Sequence, residues 1–333
     1  MSTLTPDRPA AAPPPPGPPL GRPRRRRPPR RSLRLPTRAD LVRWLGRLRA
    51  PEGAPPPAPG VVAAVVASLI VSVLAAWMVL YALVFSGMQA DRSNSVLYAE
   101  LRENLSAATT PIGGVINPGT PIALVSIPKA GLPAEVLVEG TAPSDLRAGP
   151  GHLRTTPLPG QAGVSVIYGR STTFGAPFAH VTDLKAGDRI TVTTGQGKFV
   201  YAVDRVRRAG DPTPSLLAAG SSRLLLETAA GSTFGARKTV FVDATIVDPH
   251  TVVPAPRGRP TSVPSEELAM HGESSALLPL VLWLQGLLVV TIGLVWARLR
   301  WGVWQAWLLG IPLVIAMLWG ASSTAMLLIP NLI

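Results

Sequence analysis

Arg189-Ile190-Thr191-Val192-Thr193-Thr194, then Gly195-Gln196-Gly197, then Lys198-Phe199-Val200-Tyr201-Ala202-Val203-Asp204-Arg205-Val206 is the stretch that decides the fold. β-Branched and aromatic residues partly alternate with polar ones, and a glycine-bearing break divides the run, as in two strands joined by a turn. The same texture continues outward in both directions. Residues 121–127, 135–139, 164–168, 223–228 and 239–247 are further short runs of this kind, separated by Gly, Pro, Asp and Ser turns. Strands at this density, with one helical interruption near Asp145, predict a mainly β fold in a closed or nearly closed barrel.

Beyond the strands the chain is unusually apolar. Of its 333 residues 47% are hydrophobic and 15% charged, too apolar for an ordinary soluble enzyme. Three charge-free runs, at 61–85, 276–297 and 302–328, are long enough to cross a hydrocarbon core as transmembrane α-helices. Residues 90–107 place Val96, Leu97, Leu101 and Leu105 at helical spacing, which predicts a stalk between the first span and the barrel. The barrel with its stalk is expected over 90–248, and a Pro-rich linker over 249–275 leads back to the membrane.

The net charge of +13 is concentrated in residues 1–60, where 13 arginines face only Asp7, Asp40 and Glu52. Residues 1–36, rich in Pro and Arg, have no apolar pattern able to fill a core and read as a disordered tail. Residues 37–50 open with Thr37 and Asp40 as a capping box, followed by Leu41, Trp44, Leu45 and Leu48 at helical spacing. This basic amphipathic helix is expected to lie on anionic lipid or to pack on a partner, and specific nucleic-acid binding is not expected. Arginine beside a first span favours a cytoplasmic N-terminus, which places the barrel outside the cytoplasmic membrane. The short turn Arg298-Leu299-Arg300-Trp301 is then cytoplasmic and the C-terminus extracytoplasmic. The first run is too long for the core of a cleaved signal peptide, so a retained anchor is expected.

A set of local strings adds a family resemblance. Ser126-Ile127-Pro128-Lys129-Ala130-Gly131-Leu132, Glu139-Gly140-Thr141, Asp145-Leu146-Arg147 and Gly149-Pro150-Gly151-His152 appear in order. Thr156-Pro157-Leu158-Pro159-Gly160-Gln161, Thr172-Thr173-Phe174-Gly175-Ala176-Pro177-Phe178 and Lys185-Ala186-Gly187-Asp188 follow. Together they resemble the sortases, in particular actinobacterial ones whose domain is followed by further membrane helices. The resemblance implies an eight-stranded barrel and a cysteine transpeptidase that cuts a sorting motif and joins the protein to a cell-wall amine.

The resemblance also implies a catalytic His, Cys and Arg, and two of the three are replaced. The family's Gly-His-Arg-Thr-Thr reads Gly169-Arg170-Ser171-Thr172-Thr173, and its nucleophile strand reads Leu225-Leu226-Glu227-Thr228-Ala229. Arg170 thus stands at the His position, Ala229 at the Cys position, and Arg237 keeps its place. The chain has no cysteine anywhere, and the attacking atom and acyl anchor of such chemistry is a thiolate. A guanidinium stays protonated and cannot serve as general base.

Ser171 and Ser232 are the substitute nucleophiles to consider, each in need of a base that His152, His180, His250 and His271 do not obviously supply. Arg170 and Arg237 are expected either to converge as an anion site or to pair with acids such as Glu227 or Asp243. Thr228 and Ser171 join them as ligand-binding candidates, although strand alternation turns the Thr228 hydroxyl away from Ala229's face. No metal-ligand constellation, phosphate loop or cofactor is read from the residues.

Three functions follow. The first is a catalytically inactive sortase-like protein that binds or scaffolds an extended peptide, a cell-wall precursor or a membrane-protein partner. The second is a hydrolase or transpeptidase with a substituted nucleophile. In the third, the chain is a subunit of a membrane complex acting through its helices, where Gly286, Gly293, Gly310 and Gly320 would permit close packing and Gln285 and Gln305 seek partners.

Overall fold

A computed structural model describes residues 58–231 and 238–333. The tail 1–36, the helix expected at 37–50, Ser232 and Arg237 lie outside the described residues. From Ala64 to Ile333 the chain clusters as one unit.

The first apolar run and the stalk form one continuous helical rod. α1 (Pro59–Leu80) passes through a π-helical turn at Tyr81–Phe85 into α2 (Ser86–Ser106). Alanine, valine and leucine fill α1, none of its side chains is buried, and the mean hydropathy of its apolar window is 2.5. α3 (Leu277–Arg300) and α4 (Val303–Ala325) form a hairpin. All three rods are long and apolar enough to cross a membrane. Gly310 and Gly320 sit where the hairpin is tightest, since a Cβ there would lie 2.8 Å from Leu294 and 2.6 Å from Trp283. Gly293 has nothing within 4 Å.

Eight strands close the expected barrel. They are β1 (Pro121–Ile127), β2 (Leu132–Glu139), β3 (Gly151–His152), β4 (Gly163–Tyr168), β5 (Arg189–Thr194), β6 (Gly197–Arg208), β7 (Ser222–Ala230) and β8 (Lys238–Ile246). The order around the barrel is β1-β2-β3-β4-β7-β8-β6-β5, with β5 returning to β1. β2–β3 and β4–β7 are parallel, and the other pairs are antiparallel. The period-two pattern explains the core: Leu224 and Leu226 of β7 point inward with Val192, Phe199 and Val242. Leu225 and Ala229 point to the outer face, where a second apolar cluster forms. Tyr201 keeps its hydroxyl satisfied inside the barrel, accepting from Gly160 N at 2.7 Å beside Ser222 Oγ at 2.9 Å.

The segment 249–275 runs along the barrel. Val253 bridges Gln161, and Arg259 reaches Glu139 Oε1 at 2.7 Å and Thr156 O at 3.0 Å. Arg154 pairs with Glu267. The barrel is also fastened to the helices: Phe174 N donates to Ser86 Oγ at 3.0 Å, and Arg147 donates to Ser323 Oγ at 2.9 Å. Trp77 Nε1 donates to Ser322 Oγ at 3.0 Å, and Tyr81 packs edge-on against Trp319.

Candidate functional site

β4 and β7 run parallel up to Tyr168 and Glu227, and the chain then turns sharply at Gly169. A side chain at Gly169 would place its Cβ 2.3 Å from the Phe178 ring, so only glycine fits. Gly169 N donates to Glu227 O at 3.0 Å, and Thr228 Oγ1 donates to Gly169 O at 2.9 Å. The Thr228 hydroxyl is therefore buried as a brace of the turn. Ala229, the next residue, faces the outer cluster and is 2% exposed.

Arg170 follows the turn and is fully buried. Its Nε donates to Leu146 O at 3.2 Å, one terminal nitrogen to Pro143 O at 3.0 Å and the other to Thr173 Oγ1 at 3.2 Å. The guanidinium carbon lies 4.8 Å from the Phe174 ring centroid, a cation–π arrangement. Among the described residues no carboxylate pairs with it. Asp243 pairs instead with Arg207 at 2.8 Å and Arg205 at 3.6 Å. Glu227 is held beside Tyr168, and burial pushes its carboxyl up to about 7. Burial, with the nearby Arg147 charge, pulls the Arg170 guanidinium down to about 9.

The groove beside Ala229 holds a segment that sequence reasoning did not associate with it. Beyond α4 the chain returns to the barrel, and Asn331 and Leu332 are both fully buried. Leu332 packs in one cluster with Ala229, Leu146, Val166 and Tyr168. Ser171 N donates to Leu332 O at 3.1 Å, and Thr172 N and Thr173 N donate to Ile333 O at 3.2 and 2.9 Å. The Ser171 and Thr173 hydroxyls donate to the same two main-chain oxygens, at 3.2 and 2.8 Å. The only sequence signal was a polar Asn331 just past an apolar run, which carries no periodicity.

The histidines have other engagements. His152, fully buried, lies 3.0 Å from Glu139 Oε2, 3.0 Å from Pro157 O and 3.1 Å from Thr156 Oγ1. His180 is exposed beside Asp183, His250 follows β8, and the His271 carbonyl accepts from Asn331 N at 2.9 Å. No group of three His, Cys, Asp or Glu side chains suited to a metal occurs among the described residues. The arrangement offers backbone donors, a small apolar floor and a buried cation beneath it, and the whole chain supplies no thiol.

A family model, the sortase domain, matches residues 125–245, a span that includes both Arg170 and Ala229. Among solved structures, the sortase D5 transpeptidase of Clostridium perfringens is 20% identical, with 47% of this chain and 99% of that one covered and a TM-score of 0.39. Sortase A from Corynebacterium diphtheriae is 26% identical over 47% of this chain and 84% of its own, with a TM-score of 0.34. Sortase E1 from Streptomyces coelicolor, solved with a tripeptide in its active site, is 25% identical over 40% and 92%, with a TM-score of 0.34. No curated protein matches the chain. Residues 125–245 thus match a sortase domain, in a chain that contains no cysteine.

Proposed function

We propose that this chain is a catalytically inactive sortase-like membrane protein, holding its barrel at the outer face of the cytoplasmic membrane and binding an extended peptide in the groove beside Ala229. The observation that carries the reading is the pairing of Ser171, Thr172 and Thr173 with a peptide segment through backbone amides, over a floor that ends in the Ala229 methyl. Backbone donors recognise any extended strand, and a methyl group offers no nucleophile. In this reading Arg170 and Ala229 occupy the family's His and Cys positions, and Arg237 is the retained member. A cell-wall precursor or a membrane protein with an exposed strand would suit the same donors.

The orientation is supported by charge. The arginine-rich residues 1–60 and the Arg298–Trp301 turn, at the ends of α3 and α4 remote from the barrel, favour the cytoplasmic side. Anionic lipid is the partner proposed for the basic N-terminal region.

A photoreactive side chain at position 172, on the groove rim, tests the reading in intact membranes. Capture of a discrete extracytoplasmic peptide, precursor or membrane protein supports it. Crosslinks confined to the chain itself, under conditions that label a control surface site, contradict binding in trans.

A further inference from the structure

The groove is specific for more than an extended backbone. Asn331 is fully buried, and both ends of its carboxamide are engaged. Nδ2 donates to Thr141 O at 2.8 Å and Leu268 O at 3.0 Å, while Oδ1 accepts from Met270 N at 2.9 Å. An aspartate here would bring a carboxylate against two carbonyl oxygens with no donor for them, so the pocket selects a neutral carboxamide. The walls are themselves fixed, because Thr141 Oγ1 donates to Glu267 O at 2.7 Å and Glu267 pairs with Arg154. One residue on, Leu332 is buried in the same apolar cluster as Ala229.

The same segment is tied to the membrane helix. α4 ends at Ala325, a single 3-10 turn covers Met326–Leu328, and Ile329 is extended. Gly272 lies so close to this return that a Cβ would meet Leu328 O at 2.4 Å, and Glu273 N donates to Leu327 O at 2.8 Å. Met326 is packed with Tyr81 and Phe174, at the junction of helix and barrel. A tether this short holds its ligand at an effective concentration of about millimolar or above.

We propose that the groove is a site for an extended peptide carrying a carboxamide side chain followed by an aliphatic one, and that Asn331-Leu332 of this chain is its tethered occupant, which a peptide in trans must displace. The inference rests on the groove being a peptide-binding site and adds the ligand class and the self-occupancy. A shift of α4 within the membrane would draw the occupant out, which couples the helices to access to the groove.

The chain has no cysteine, so Ala229→Cys creates a single thiol within the cluster that buries Leu332. In the full chain in lipid nanodiscs, a small maleimide is expected to modify it slowly. Adding Asn331→Ala and Leu332→Gly is expected to raise the rate about tenfold or more, since a net loss of one good hydrogen bond already shifts local opening by that factor. A synthetic Pro-Asn-Leu-Ile peptide should then restore protection, and Pro-Asp-Leu-Ile should not. Leu332→Gly alone, which retains the Asn331 bonds, gives the rate comparison if the double change unfolds the barrel, and Asn331→Ala alone gives the peptide comparison.

Equal rates with and without the substitutions overturn self-occupancy. Protection by Pro-Asn-Leu-Ile would in that case leave the peptide-binding reading standing. Rate enhancement without protection by that peptide, or with equal protection by the Asp peptide, overturns the ligand class.

Discussion

Arg170 carries a charge into a fully buried position with no carboxylate partner among the described residues, and replacing it separates the effects that hold it there. Arg170→Met and Arg170→Ala both strip the donors from Leu146 O and Pro143 O. A buried acceptor left unpaired costs about 1–3 kcal/mol. Both substitutions also remove a guanidinium that burial disfavours, pulling it down to about 9, and that relief offsets much of the loss. Met replaces most of the stem volume against Phe174, whereas Ala leaves a cavity, and large-to-Ala changes in cores cost about 2–5 kcal/mol. The account therefore predicts Met within about 2 kcal/mol of the parent and Ala about 3 kcal/mol below Met. Amide hydrogen exchange in β4 and β7 is the suitable assay, because all eight tryptophans lie outside residues 90–248 and none is a reporter within the barrel. A difference of ~3 kcal/mol appears as roughly 100-fold faster exchange in Ala than in Met. Equal protection in the two variants would refute the packing role, and no loss in either would refute the hydrogen-bonding role.

Stability should depend on pH through Glu227, whose carboxyl burial raises to about 7 from an ordinary 4.5. The folded state holds this proton more tightly than the unfolded chain, so its contribution is complete below about 4.5 and is lost as pH rises through about 7. Denaturation midpoints should fall across that window by the equivalent of about 2–3 kcal/mol for this group, and Glu227→Gln should remove that share, leaving the parts due to Asp145 and Glu135, both also pushed up to about 7. An unchanged slope in the Gln variant would contradict this. Gly169→Ala should destabilise the barrel by about 1–3 kcal/mol, because its Cβ meets the Phe178 ring, and hydrogen exchange at Phe178, whose amide donates to Arg170 O at 3.0 Å, reads the displacement. For topology, a cysteine at the fully exposed Leu216 should react with an impermeant reagent in intact cells, whereas one at Leu299 should react only after permeabilisation.

The strands were legible because a half-buried sheet writes its period directly into the residues. Arg189–Thr194 and the start of β6 show this, and even the outward turn of Ala229 follows from alternation with Leu226. β3 was invisible, since two residues cannot display a period, and its place is set by the close crossing of Gly151 over Gly140 O. Proline content made 249–275 read as a tether. Its docking depends on single contacts, such as Arg259 on Glu139, that composition does not encode. The groove's occupant was hidden for a related reason. Asn331 bonds Thr141 across 190 positions of sequence, Leu332 joins the cluster of Ala229 across 103, and nothing local to either partner announces the other.

The most direct measurement is turnover by the unaltered full chain. The protein in lipid nanodiscs is incubated with a labelled sorting-motif peptide and an excess of an amine acceptor, and the products are resolved by mass spectrometry. The account predicts that the peptide is recovered intact at every protein concentration and time, with no acylated form of the chain. Cleaved peptide or an amine adduct, rising with protein concentration and abolished by Ser171→Ala or Ser232→Ala, would contradict it.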